Sequence, residues 1–182
     1  MSRERYITDS SRLIYETKAG VVYINEKDLI ILSFKGKQSK PSLYMKLRTI
    51  EALKAKAIEL VTQYNQTLDR KAKEQEKNKL RKQEFASSLS VGDYLVSSWG
   101  YSMTIVDYYR VVSIKGLNLQ IESVGNNIVE GSGGYQGSCV PNTKSKGGEV
   151  LKATVTPYGV KVKSNYASKW DGVSSHYFNY MD

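Results

Sequence analysis

Residues 42–91 contain neither proline nor glycine. These two residues are the strongest helix breakers, so a long stretch without them permits one uninterrupted helix. Thr49 is placed to cap it, and Glu51 sets a negative charge in the first turn, where the helix dipole favours one. Ile50, Leu53, Ala57, Leu60, Val61, Tyr64 and Leu68 follow at helical spacing and form one apolar stripe. Beyond Leu68 the stripe fades. Arg70 to Glu84 reads RKAKEQEKNKLRKQE, with seven basic and three acidic residues and almost nothing to bury. A helix polar all round is either a solvent-bridging arm or not stable alone. Lys73 and Lys77, four apart, repel each other.

The stripe needs a partner, and the residues before it read as short strands. Leu13–Tyr15, Val21–Ile24 and Leu29–Leu32 are apolar runs separated by turn-like segments around Gly20 and Asn25–Asp28. Ser42 to Arg48 alternates, with Leu43, Met45 and Leu47 on one side, as a half-buried strand does. After Ala86-Ser87-Ser88 the character changes. Tyr94–Trp99 and Thr104–Ile114 are rich in β-branched and aromatic residues, and Lys115-Gly116 turns into Leu117–Val124. Residues 125–148 hold seven glycines and should contain a long loop. Glu149–Thr156, the turn Pro157-Tyr158-Gly159 and Val160–Lys163 predict a second hairpin. The expected class is α+β. Residues 1–85 would form short strands and a long basic helix, and residues 86–182 a small β-barrel or curved antiparallel sheet.

Charge adds a functional reading. The net charge is +9. Residues 1–85 carry 19 Lys+Arg and 11 Asp+Glu, and residues 86–182 carry 8 and 7. Concentration in one part favours a polyanionic partner, and Arg70, Lys71, Lys73, Lys77, Lys79, Arg81 and Lys82 are the candidate phosphate contacts. The alternative is a solvated helix that only spaces two domains. No apolar run approaches the roughly 18 residues of a membrane span. The charged N-terminus leads to no apolar signal core, and a lone cysteine, Cys139, cannot staple the fold. Both point to a reducing cytoplasm.

Catalytic signatures are sparse. One His and one Cys cannot make a zinc cluster of the usual kind, and a magnesium site from Asp107, Glu122 and Asp171 has no spacing signature. Gly131-Ser132-Gly133-Gly134 lacks the Lys-Ser/Thr of a phosphate loop. No metal or cofactor is therefore expected. His176, the only imidazole, can act as a general acid or base, yet alone it cannot fill both roles. The alternative is a packed or exposed side chain without chemistry.

Aromatic residues say more. Nine of the fourteen tyrosines and both tryptophans follow residue 86. Tyr108 and Tyr109 are adjacent on one strand and point to opposite faces, so at least one is expected to face outwards. Tyr166, Trp170, Tyr177 and Tyr180 crowd the tail beside Lys163 and Lys169. Aromatic faces beside basic groups suit stacking on unpaired bases, which makes Tyr108, Tyr166 and Trp170 nucleic-acid-binding candidates. Tyrosines that merely fill a barrel edge are the alternative.

The block Ser98-Trp99-Gly100-Tyr101, Thr104 and Asp107-Tyr108-Tyr109-Arg110-Val111-Val112, with the later Ala167-Ser168-Lys169-Trp170-Asp171-Gly172, resembles a C-terminal module of uncharacterised phage and mobile-element proteins. With the strands and long helix before it, the chain resembles the type II-A anti-CRISPR proteins, inhibitors of Cas9. The resemblance implies a bacterial host cytoplasm and, as partners, Cas9 and its guide RNA. Some inhibitors of that group leave Cas9 with a shortened guide. It therefore implies guide-RNA truncation, either by a ribonuclease activity of the chain or by making the bound guide cleavable. Cutting without metal would use His176 with Lys169 and Asp171 close by, and Asp107 as an orienting carboxylate. Two other readings stay open: a non-enzymatic module that blocks Cas9 or nucleic acid by occupancy, and a structural accessory of a mobile element.

Overall fold

A computed structural model describes residues 3–132 and 134–181. The chain divides into two compact units, Met1–Glu76 and Lys77–Asp182. The class is α+β, with one long helix, antiparallel sheets and a closed six-stranded barrel. No helix among the described residues is long and apolar enough to cross a membrane.

In the first unit, strands β1 (Arg12–Glu16), β2 (Gly20–Asn25), β3 (Ile30–Lys35) and β4 (Leu43–Lys46) form an antiparallel sheet in sequence order. Helix α1 (Ile50–Ser88) starts where the Thr49 hydroxyl accepts the Ala52 N–H at 3.2 Å. That contact satisfies one of the backbone donors a helix start leaves free. The apolar stripe behaves as its spacing requires. Leu53, Ala57, Leu60 and Tyr64 bury against Val22, Ile24 and Ile31 of the sheet. Gly20 is needed at this contact, because a Cβ there would lie 2.5 Å from Cζ of Tyr64. On the opposite face Phe34 is covered by Tyr6, Tyr23 and the Arg3 guanidinium, which sits 5.0 Å from its ring.

The second unit contains the barrel. Strands β5 (Tyr94–Trp99), β6 (Ile105–Lys115), β7 (Asn118–Val124), β10 (Val150–Thr156), β11 (Gly159–Val162) and β12 (Asn165–Lys169) close in the order β10-β11-β12-β5-β6-β7. Alternation sends Leu95, Tyr109, Val111, Leu119, Ile121, Ala153, Val155, Val160, Val162 and Ala167 into its core. Leu89 joins that core, and Phe85 and Ala86 pack against it.

The glycine-rich segment holds more order than expected. Residues 142–149 are its loop, but β8 (Asn126–Ser132) and β9 (Gln136–Pro141) pair before them as a hairpin. Strand β13 (His176–Asn179) adds to β9 and makes a three-stranded sheet. Glycine in this segment does not prevent pairing, because Cys139 and Phe178 supply a buried face. They pack with Val96, Val106 and Tyr108 from the outer wall of β5 and β6.

Candidate nucleic-acid interface

The four candidate catalytic groups occupy separate settings. Asp107 points to the interior side of β6, two residues before Tyr109 of the core, and its Oδ2 accepts the Trp99 Nε1–H at 2.7 Å. Lys169 ends β12, where its Nζ donates to the Ser88 carbonyl at 2.7 Å and pairs with Asp93 at 2.7 Å. Asp171 closes a turn by accepting the Val173 and Ser174 N–H groups at 2.9 and 2.7 Å, together with the Ser174 hydroxyl. Those donors, the Ser174 hydroxyl first, hold its carboxyl down at about 2. His176 lies on β13, with Nδ1 at 3.0 Å from the Tyr108 hydroxyl. No hydrogen bond or ion pair among the described residues joins any two of these four. Nor is any group of three or more His, Cys, Asp or Glu gathered there for a metal ion.

Proton counting fixes the state of His176 at one nitrogen. The Tyr108 hydroxyl lies 2.7 Å from the Cys139 carbonyl, which can only accept, so the tyrosine proton is committed there. Nδ1 of His176 must then be the donor to the tyrosine oxygen. Nε2 is left as the nitrogen that can accept or hold a further proton.

Tyr108 itself is corrected. It was expected to offer a stacking face, yet it is 2% exposed, and its neighbour Tyr109 is 9% exposed. Both faces of β6 are covered here, the inner one by the barrel core and the outer one by the β8-β9-β13 sheet. Trp170 is half-buried. Its Nε1 donates to the Ser174 carbonyl at 2.7 Å, and its ring meets Tyr94 edge-on at 6.1 Å. Tyr166 is 48% exposed and meets Tyr158 edge-on at 6.3 Å.

The seven basic candidates of α1 face solvent, only Lys82 being partly covered, and none takes part in an ion pair among the described residues. Arg70, Lys73, Lys77 and Arg81 follow one another at spacings of three and four and share one stripe.

A second basic surface, absent from the sequence reading, lies on the outside of the barrel. Asn118, Thr154, Lys161 and Tyr166 stand directly opposite one another on β7, β10, β11 and β12. Each neighbours a core residue along its strand, so all four face outwards. Gln120 and Lys152 make the adjacent row. Asn118, Gln120, Lys152, Thr154 and Lys161 line, with Lys115 and Lys163, a groove of about 570 Å³ that holds no acidic residue, and Tyr166 stands next to Lys161 beside it. The nearby acids are partly neutralised: Glu122 pairs with Arg110 at 2.5 Å, and Glu149 with Lys163 at 3.7 Å. The surface thus combines four lysines, two amides, a threonine and a tyrosine. Lysines attract phosphates, amides read base edges, and an exposed ring stacks on a base.

One signal for this face was present. Lys152 and Thr154 alternate with Ala153 and Val155, as Lys161 alternates with Val160 and Val162. The alternation shows that each strand has a polar side. Only the pairing of β7 with β10 and of β11 with β12 shows that these sides form one surface. Comparison of the chain with protein-family models, curated proteins and solved structures returns no match.

Proposed function

We propose that the chain binds single-stranded RNA on the outward face of its barrel. Its target, as the likeness to type II-A anti-CRISPR proteins implies, is the guide RNA of Cas9, and it inhibits by occupying that RNA. The observation that supports this reading is the cross-strand row Asn118–Thr154–Lys161–Tyr166 with Lys115, Lys152 and Lys163 around it. Bases splayed from a single strand stack on tyrosine while lysines neutralise the backbone. Lys77, Lys79, Arg81 and Lys82, which belong to the same unit, are further cationic groups for a longer RNA.

Occupancy is favoured over cutting because no hydrogen bond or ion pair among the described residues brings any two of His176, Lys169, Asp171 and Asp107 together, and Lys169 and Asp171 are engaged with the Ser88 carbonyl and the Val173 N–H. Truncation has one observation in its favour: His176 is oriented by Tyr108 with Nε2 free to act as a base. Purified chain, Cas9 and guide RNA, resolved on a denaturing gel, separate the two. An intact guide with lost DNA cleavage is expected, whereas a shortened guide that stays full length with His176→Ala identifies cutting.

The binding face is tested directly on single-stranded RNA. Lys152→Gln with Lys161→Gln lowers the slope of log affinity against log salt by about 1.4, at roughly 0.7 for each lost phosphate contact. Tyr166→Ala weakens binding by ~1–3 kcal/mol, the worth of one base stacked on an aromatic ring. Unchanged affinity and slope in both variants overturn the proposal.

A further inference from the structure

The mouth of the barrel is a separate cavity of about 540 Å³, and its chemistry differs from that of the lysine face. Strand alternation builds it. Leu95 of β5 and Tyr109 and Val111 of β6 lie in the core, so Trp99 and Asp107, an even number of residues away, project to the same inner side. Asp107 pairs across the strands with Ser97, which places Trp99 diagonally beside it. Trp99 Nε1–H donates to Oδ2 of Asp107 at 2.7 Å. A carboxylate offers about four acceptor positions. The Trp99 donor orients it and leaves the other positions for a ligand. Trp99 and Tyr180, 41% and 39% exposed, supply aromatic surface at the opening.

Lys163 lies where this mouth meets the lysine face, since it lines both cavities. It occupies the turn between β11 and β12 with φ of 53°, a conformation that favours glycine. A lysine held there carries a strain of ~1 kcal/mol or more, and such strain gathers at ligand clamps.

We propose that the barrel mouth is a pocket for one guanine base of the RNA bound on the lysine face, with Asp107 as its acceptor. The proposal rests on the RNA-binding reading and names the base that the same surface selects. A carboxylate only accepts hydrogen bonds. Guanine is the one standard base whose pairing edge offers two adjacent donors, the N1–H and the 2-amino group. Adenine and cytosine place an acceptor beside their amino group, and uracil flanks its single N–H with two carbonyls. The aromatic surface of Trp99 and Tyr180 can flank the base, and Lys163 is placed to take the phosphate that follows. An arginine side chain has the same pair of donors. Glu149, which also lines the mouth, is paired with Lys163 at 3.7 Å, and the lysines of the adjoining face repel a cationic peptide and attract a polyanion.

The test uses the full chain with five-nucleotide RNAs carrying one central G, A, C or inosine between uridines, and with the all-uridine strand. The central G is expected to bind about 5- to 150-fold tighter than the other bases, the range of one good bidentate base contact. Inosine, which lacks the 2-amino group, loses most of that gain, and this comparison needs no variant. Asp107→Asn, which places an amide donor against the guanine donors, abolishes the preference while binding to the all-uridine strand persists. RNA bound with equal affinity for every central base overturns the pocket and leaves the lysine-face reading standing. No RNA bound at low salt overturns both. An arginine-containing pentapeptide bound by the wild type, lost with Asp107→Asn and accompanied by no guanine preference, makes the mouth a guanidinium site and overturns the proposal.

Discussion

Tyr108 and Tyr109 are neighbours that look away from each other, and both are buried. An antiparallel barrel ordinarily leaves its outer face to water, so one of two adjacent residues should be wet. Here the β8-β9-β13 sheet removes that freedom, and Tyr108 becomes part of a second, smaller core with Cys139 and Phe178. Burial has a consequence for acid–base behaviour. Desolvation, and then the nearby Asp107 carboxylate, push the Tyr109 hydroxyl up from 10 to about 12. Desolvation pushes Tyr108 upward as well, and burial raises the Cys139 thiol. In the unfolded chain these tyrosines lose their protons near pH 10, while the folded chain keeps them. Between pH 10 and about 12 the unfolded state therefore binds fewer protons, and stability falls as pH rises. For Tyr109 the loss amounts to ~2–3 kcal/mol across that window, with no effect below it. Urea midpoints measured from pH 8 to 12 follow this decline, and Tyr109→Phe makes it shallower while the part carried by Tyr108 remains. A wild-type midpoint constant through pH 11.5 refutes the assignment.

Helix α1 is fixed at each end by a different residue type, and the second is a correction of role for Lys169. The last carbonyls of a helix lack partners and carry partial negative charge, so a lysine that reaches them satisfies both needs. Lys169 does this from β12: its Nζ donates to the Ser88 carbonyl and pairs with Asp93, which also accepts the Ser90 N–H at 2.7 Å. Lys169→Met keeps the aliphatic stem and deletes the clip. Because the lysine is partly exposed, the expected loss is modest, roughly 1 kcal/mol. A urea midpoint equal to the wild type would show the clip to be idle. Elements with strong local signals could be read without the structure. The α1 stripe, the Thr49 cap, and β2, β3, β5, β6, β7, β10 and β11 all carry dense apolar alternation or a capping residue. Strands β8, β9, β12 and β13 do not. In β12 only Ala167 faces the core, and its carbonyl constrains the neighbouring strand instead, since a Cβ on Gly159 would lie 2.6 Å from that oxygen. A strand with one small apolar residue has no periodicity to detect. The binding face was hidden for a different reason. Its lysines sit on strands that were foreseen, but the register that aligns them is a long-range property, and so is the approach of Asp107 to Trp99.

At the scale of the whole chain, the position of the boundary changes how charge is distributed. Divided after residue 85, the excess is +8 and then +1, which suggests one basic arm and one neutral module. Divided after Glu76, the same residues give 15 Lys+Arg against 10 Asp+Glu, then 12 against 8, so the units carry +5 and +4. The barrel unit thus owns Lys77, Lys79, Arg81 and Lys82 as well as the lysines of its outer face, and both units are cationic. Each unit also has its own core. Leu53 is fully buried among Val22, Ile24 and Ile31, whereas Ile121 is fully buried among Leu119, Val155 and Val160. Both tryptophans, Trp99 and Trp170, belong to the barrel unit, so indole fluorescence reports on that unit, while far-ultraviolet circular dichroism includes the helix over its whole length. Leu→Ala and Ile→Ala at buried sites cost ~2–5 kcal/mol, the transfer free energy of the lost methyl groups plus the cavity left behind. Leu53→Ala is expected to lower the midpoint of the dichroism transition and leave the fluorescence midpoint in place. Ile121→Ala is expected to lower the fluorescence midpoint. If Leu53→Ala moves both signals together by the same amount, the two cores unfold as one cooperative body, and substitutions in either would bear equally on the RNA-binding face.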